Sequence, residues 1–150
     1  MEIKEIKEQK KQFLSLLLLA DEQEDMIDCY LERGTMYAGY DGELKCICVV
    51  TEEAERLLEI KNIAVVPEEQ KKGYGKEMIA FLVMHYRDRY DWMQVGTGDS
   101  PLTIPFYEKC GFCYSHRIKD FFTTQYDHPI YECGKRLTDM VYLKRRLKSI

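Results

Sequence analysis

The chain of 150 residues lacks any apolar run long enough to span a bilayer. The longest run near its start, Leu16 to Ala20, is far short of the ~20 residues a helical span requires. Basic excess is missing too: 22 Lys and Arg stand against 26 Asp and Glu, a net charge of -4. That balance argues against a nucleic-acid partner, since phosphate backbones demand a basic face. The first residues, Met1-Glu2-Ile3-Lys4-Glu5, contain no signal-type apolar segment, so a reducing cytoplasmic setting is expected. Neither repeats nor a shift in composition divides the chain, and one domain over 1–150 is expected. A chain of this length buries about 68 to 70% of its unfolded surface, enough to fold without disulfides. The six cysteines are therefore expected as free thiols.

What the chain does have is a glycine turn between two contrasting patterns. Leu57, Leu58, Ile60, Ile63, Ala64, Val65 and Val66 form a nearly continuous apolar run, which Pro67 ends because it cannot donate to a sheet ladder. A buried strand is expected there. Met78, Ile79, Leu82, Val83 and Tyr86 then recur at spacings of three and four, the mark of a helix over Lys76 to Arg87 with one face on a core. Between them lies Gln70-Lys71-Lys72-Gly73-Tyr74-Gly75. A glycine turn opening a helix presents unpaired N–H groups and the positive end of the helix dipole, so this is an anion site. Lys71, Lys72 and Lys76 add cations, and Gly73 and Gly75 remove side chains that would hold a phosphate away. The dinucleotide fingerprint fails, because its third glycine falls at Met78; the P-loop fails on glycine spacing and because Glu77 follows Lys76.

Gln-x-x-Gly-x-Gly after a strand ending in Val-x-Pro resembles the coenzyme A signature of the GNAT N-acetyltransferase superfamily. A second stretch, Phe106-Tyr107-Glu108-Lys109-Cys110-Gly111-Phe112, resembles the family's tyrosine motif, a short helix ending at a glycine. The physics agrees: Lys109 complements the C-terminal end of a helix dipole and Gly111 suits the left-handed position beyond it. The resemblance covers about Leu57 to Phe112. It implies an α/β fold with a mixed central sheet of about seven strands, splayed parallel fourth and fifth strands, and about four flanking helices. It also implies acetyl-CoA as cosubstrate, with no metal, and an amine acceptor that the sequence does not identify.

The flanking patterns fit that order. A short strand over Glu2 to Ile6 precedes a first helix around Phe13 to Leu18, and a second helix is expected from about Glu22 to Glu32. Asp21, Glu22, Glu24, Asp25 and Asp28 gather near its start, either complementing the helix dipole or attracting a cationic substrate. Thr35 to Tyr40 and Leu44 to Thr51 read as strands joined at Asp41-Gly42. A strand over Trp92 to Thr97 follows the cradle's helix, and a right-handed crossover would lay it parallel to the strand before. Met140 to Leu147 reads as a last strand, with Lys144, Arg145, Arg146 and Lys148 expected to protect a sheet edge.

Acyl transfer to an amine needs a neutral amine, an oxyanion donor and a proton for the leaving thiolate. The resemblance implies Tyr107 as the acid and the backbone N–H of Val65 as the oxyanion donor. It further implies that the backbone of Ile63, Ala64 and Val65 holds the pantetheine arm, and that the cradle, Gln70 to Lys76 including Tyr74, holds the pyrophosphate. Glu59 lies where several family members carry a base, though strand alternation equally pairs it with Lys61. Asp99 and Ser100 stand where the family often has an asparagine; Ser100 is a coenzyme contact, or Asp99 or Ser100 is a plain N-cap before Pro101. Cys110-x-x-Cys113 and Cys46-x-Cys48 could suggest zinc, but Cys46 and Cys48 alternate inside a strand, and buried thiols are ordinary. His85 and His116 read as structural. The aromatic stretch Phe121 to Tyr131, which contains His128, is expected as a loop that caps the acceptor site or packs on the sheet or a second subunit. A homodimer is compatible with the exposed strand edges. A module that binds acyl-CoA without transferring it is the alternative.

Overall fold

The computed structural model describes residues 1–148. Among these, strand β1 (Glu2–Ile6) leads through a short 3-10 turn into helices α1 (Leu14–Ala20) and α2 (Glu24–Asp28). Strands β2 (Thr35–Asp41), β3 (Glu43–Ala54) and β4 (Leu57–Val65) follow, then helix α3 (Tyr74–Tyr86) and strand β5 (Trp92–Gly98). Helix α4 (Ile104–Lys109), strand β6 (Cys113–Ile118), helix α5 (Phe121–Gln125), the short strands β7 (Tyr131–Glu132) and β8 (Lys135–Arg136), and β9 (Met140–Arg146) complete the order. The main sheet has seven strands in the order β1-β2-β3-β4-β5-β9-β6, with β4 and β5 parallel and the other neighbours antiparallel.

Strand alternation sends alternate residues of the long β3 to opposite layers. Cys46, Cys48 and Val50 pack with Met78, Ile79, Leu82 and Tyr86 of α3, the face that the three-four spacing indicates. Ile47 and Val49 pack instead with Leu17, Ile27 and Leu31 from the α1–α2 side. A bulge modifies this rule in β4, where Val49 pairs with Asn62 and Val50 with Ile60, so that Lys61 has no partner of its own. Simple alternation would put Asn62 beside Leu58 and Ile60; after the bulge its amide reaches Leu17 on the opposite layer. Ile63 and Val65 thereby face the α3 layer with Leu58 and Ile60.

Three expectations change. Helix α2 stops at Asp28 rather than near Glu32, and the chain turns so that the carbonyls of Leu31, Glu32 and Gly34 accept from the buried Lys10 Nζ at 2.9, 3.4 and 2.7 Å. Strand β9 is interior, paired with β5 and β6, so its cations do not guard an edge; Arg145 caps Cys110 O at 2.7 Å and Arg146 lies over Trp92. The aromatic stretch is not an irregular loop but α5 followed by a segment running into the β7–β8 hairpin. Phe122, Ile130 and Leu137 form a small core of their own there.

Candidate active site

Strands β4 and β5 pair only from Leu57–Trp92 to Ile60–Val95. Beyond that point β4 stays with β3 as far as Val65, and β5 stays with β9 as far as Gly98, so the two inner strands part. The hydrogen-bond register decides which backbone groups face the gap. Val66 N donates to Lys45 O at 2.8 Å, making Val66–Lys45 a bonded antiparallel pair. Bonded and non-bonded pairs alternate, so Ala64–Ile47 is bonded while Val65–Cys46 and Ile63–Cys48 are not. The N–H and C=O of Ile63 and Val65 therefore point away from β3 into the gap, whereas those of Ala64 are taken by the sheet. Of the three residues expected to offer free backbone, Ile63 turns both its groups to the gap, Val65 keeps its N–H free there, and Ala64 offers neither.

The gap opens into a cleft of about 910 Å³. At one end lies the glycine turn. Lys71 and Gly73 have φ of +65° and +92°, and Gly73 is the N-cap of α3. Glu77 N is the first to find a helical acceptor, Gly73 O at 3.0 Å, which leaves Tyr74, Gly75 and Lys76 N–H without intrahelical partners. A side chain at Gly75 would put its Cβ 3.1 Å from Phe106, so the glycine also sets how closely α3 approaches α4. Gln70, Lys71, Gly73, Tyr74, Gly75 and Lys76 line the cleft. Lys72 does not; its Nζ is held by Glu69 at 2.9 Å. Gln70 Nε2 donates to Val65 O at 3.3 Å, tying the turn to the end of β4.

Across the gap, Tyr107 is set by the way α4 ends. Gly111, at φ +91°, lets Phe112 N reach Tyr107 O and Gly111 N reach Glu108 O, each at 3.0 Å, the paired bonds of a Schellman cap. Phe112 then packs edge-on against the Tyr107 ring at 5.8 Å. The ring is buried yet lines the cleft, and among the described residues none bonds to its hydroxyl. Burial pushes its ionisation well above the ordinary tyrosine range.

Glu59 and Ser100 do not line the cleft. Glu59 is 4% exposed and lies where β4 and β5 are still paired. Its oxygens are engaged by Gln94 Nε2 at 2.5 Å, Lys61 Nζ at 2.8 Å and Tyr142 OH at 3.5 Å. This is the pairing with Lys61 that alternation allowed, but buried rather than solvated, and a carboxylate so committed is poorly placed to take a proton from a molecule in the cleft. Ser100 is 2% exposed, and its Oγ accepts from Leu102 N at 3.1 Å. That bond builds the turn before α4, whose N-cap is Thr103 rather than Asp99 or Ser100.

The other end of the cleft comes from distant parts of the chain. Asp21 and Glu22 reach it from the α1–α2 connection, Asn62 from β4, and Phe122, Tyr126 and Ile130 from the α5 region. Tyr126 OH donates to Asp21 Oδ1 at 2.6 Å and Asp127 N to Gln23 Oε1 at 3.0 Å, which clasp the two segments together. The acidic cluster divides accordingly: Glu24 and Asp28 pair with Lys11, at 2.7 and 2.8 Å, while Asp21 faces the cleft. Burial raises the Asp21 carboxyl, against the opposing pull of hydrogen bonds from Tyr126 and Tyr30. The acidic run was the only sequence signal for Asp21; nothing marked Asn62 or Tyr126 individually.

Known proteins share this fold. The family model for the acetyltransferase (GNAT) domain matches residues 30–113. An uncharacterized N-acetyltransferase of Bacillus subtilis, YvbK, is 38% identical over 139 residues, covering 91% of this chain and 90% of its own. Among solved structures, a GNAT family acetyltransferase from Elizabethkingia anophelis with acetyl-CoA bound superposes with a TM-score of 0.90 at 32% identity, over 97% of each chain. A Bacillus subtilis acetyltransferase in complex with CoA gives 0.89 at 36% identity, again over 97% of each. With the family model matching more than half of the chain and relatives aligned nearly end to end, this chain belongs to the GNAT acetyltransferase family.

Proposed function

We propose that the protein transfers the acetyl group of acetyl-CoA to a primary amine of a small molecule or peptide by direct attack, without an acyl-enzyme. The observation that carries this reading is the free backbone of Ile63 and the free N–H of Val65, lying between an anion-binding helix end and an unengaged tyrosine in one cleft. In this reading Tyr74, Gly75 and Lys76 N–H bind the pyrophosphate, aided by Lys71, and Ile63 bonds the pantetheine amides as an added strand would, which leaves Val65 N–H for the acetyl group. Lys72 and Ser100 serve the shape of the turns beside the site. Relatives solved with acetyl-CoA or CoA support the choice of cosubstrate.

The amine nitrogen attacks the thioester carbonyl carbon while Val65 N–H bonds the developing oxyanion, a type of contact worth ~10² or more in rate. As the C–S bond breaks, Tyr107 donates to the departing sulfur. Because burial holds its proton tightly, the phenol supports the thiolate by hydrogen bonding and yields the proton only as that charge forms. The nitrogen's surplus proton leaves through water in the open cleft, since Glu59 is occupied by Gln94 and Lys61, and that water in turn restores the proton of Tyr107. Glu59 then serves the site by holding β4 to β5 at the point where they part.

The engagement of Glu59 also favours a second reading, a module that binds acyl-CoA without transferring it. Calorimetric titration with acetyl-CoA, wild type against Gly73→Glu, tests what the two readings share. Saturable one-to-one binding, lost in the variant, is the expected result; no binding to folded wild type defeats both. Amine-dependent release of CoA then separates catalysis from binding alone.

A further inference from the structure

The far end of the cleft contains a buried polar chain that the transfer chemistry leaves unused. Asn62 is 3% exposed, and its Nδ2 donates to Leu17 O at 3.0 Å and to Tyr30 OH at 3.1 Å. The Leu17 carbonyl can only accept, which fixes the amide's orientation. Asn62 Oδ1 is consequently left buried, with no partner among the described residues. Tyr30 OH continues the chain to Asp21 Oδ2 at 3.1 Å, and Tyr126 OH meets the other oxygen at 2.6 Å. Both phenols already spend their protons on Asp21, so the acceptors still waiting for a donor are Asn62 Oδ1 and the remaining lone pairs of Asp21. Among the described residues no lysine or arginine pairs with Asp21, although its neighbours Glu24 and Asp28 share Lys11.

A half-buried carboxylate without a counter-cation and a buried carbonyl without a donor are each costly, and a bound cationic N–H donor relieves both. Glu22 and Glu132 at the same end add negative potential, and Phe122, Ile130 and Leu137 supply an apolar wall toward Tyr107. We propose that Asp21 and Asn62 Oδ1 recognise a second ammonium group on the acceptor, and that the preferred substrates are diamines with an aliphatic spacer. This rests on the reading of the cleft as an amine acetyltransferase site. The second ammonium is held by Asp21, the spacer lies on the Phe122–Ile130 wall, and the free amine reaches the acetyl carbonyl beside Val65.

The test is calorimetric titration with 1,4-diaminobutane and 1,6-diaminohexane, against 1-aminobutane and 1-aminohexane, with and without saturating CoA. At least one diamine should bind about tenfold or more tightly than its matched monoamine, as expected for a charge-assisted contact. Asp21→Asn should erase that preference, and Asp21→Glu, which keeps the charge, should retain part of it. In turnover the Asp21→Asn loss should appear in KM, with kcat and acetyl-CoA affinity retained. Equal binding of diamine and monoamine by wild type, or an unchanged preference in Asp21→Asn, overturns the proposal. The arm without CoA reads the Asp21 site even if coenzyme binding fails, so loss of the acetyltransferase reading and loss of this one are told apart.

Discussion

The two ends of the cleft are built from different materials. At the end proposed for the coenzyme the groups that face the cleft are mostly backbone: the N–H groups of Tyr74, Gly75 and Lys76, the free edge of Ile63 and the N–H of Val65. At the end proposed for the acceptor they are side chains, Asp21, Asn62, Tyr30 and Tyr126, brought from segments as much as 105 residues apart. Backbone donors serve any sequence that can adopt the right dihedrals, so that end is conformationally strict and chemically general. Side-chain acceptors are chemically selective, and that end can change its ligand by single substitutions.

The sharpest way to break this comparison is at the turn itself. Gly73→Glu sets a β-carbon at φ +92° and a negative charge at the positive end of α3, and should weaken acetyl-CoA binding by roughly a hundredfold or more. Calorimetry should show diamine binding in the same variant nearly unchanged; if both are lost together, the two ends are not separable. Next in size, Tyr107→Phe should lower kcat by about 10² while leaving acetyl-CoA affinity intact, within the range ascribed to acid–base groups. Retained turnover would remove Tyr107 from the mechanism.

Tyr107 also carries a pH expectation. A catalytic acid works below its pKa and is lost above it; burial has raised that of Tyr107, the proposed acid, so its protonated form persists past the ordinary tyrosine value of about 10. The kcat/KM profile should rise as the amine loses its proton and show no Tyr107-dependent fall below about pH 10. A descending limb near pH 8 that disappears in Tyr107→Phe would contradict it.

Smaller effects separate geometry from chemistry. Gly111→Ala forces a left-handed residue and crowds Arg145, 3.1 Å from the added Cβ, and should cost about 1–2 kcal/mol in denaturant unfolding. Some loss of kcat should accompany it, because the same cap positions Tyr107. Smallest, Tyr126→Phe removes one of the two phenols on Asp21 and should change diamine affinity by about fivefold or less, in line with a single hydrogen bond. An effect larger than that of Asp21→Asn would mean that Tyr126, not the carboxylate, recognises the ligand.

Legibility followed the same division. The Gln-x-x-Gly-x-Gly turn, the helix after it and the Gly111 cap could be read from residues in a row, since each depends on local dihedrals and on the free N–H groups of one helix end. The same locality made Cys46 and Cys48 readable as core residues. Glu59, Lys72 and Ser100 went elsewhere because their partners, Gln94, Glu69 and the turn at Leu102, compete with any ligand, and no motif records a competitor. The bulge at Lys61 reversed the facing of Asn62 for a similar reason: one extra residue against β3 is a property of a strand pair, not of one strand.

By itself, then, the sequence determined the family, the parallel crossover around α3 and the glycine turn that opens that helix, because short-range stereochemistry decides them. Tertiary structure alone decided that β9 is interior, that Ala64 is spent on the sheet while Val65 is not, and that Asp21 faces Tyr126. These are questions of register and long-range packing, in which each residue's role is set by what the rest of the chain leaves beside it.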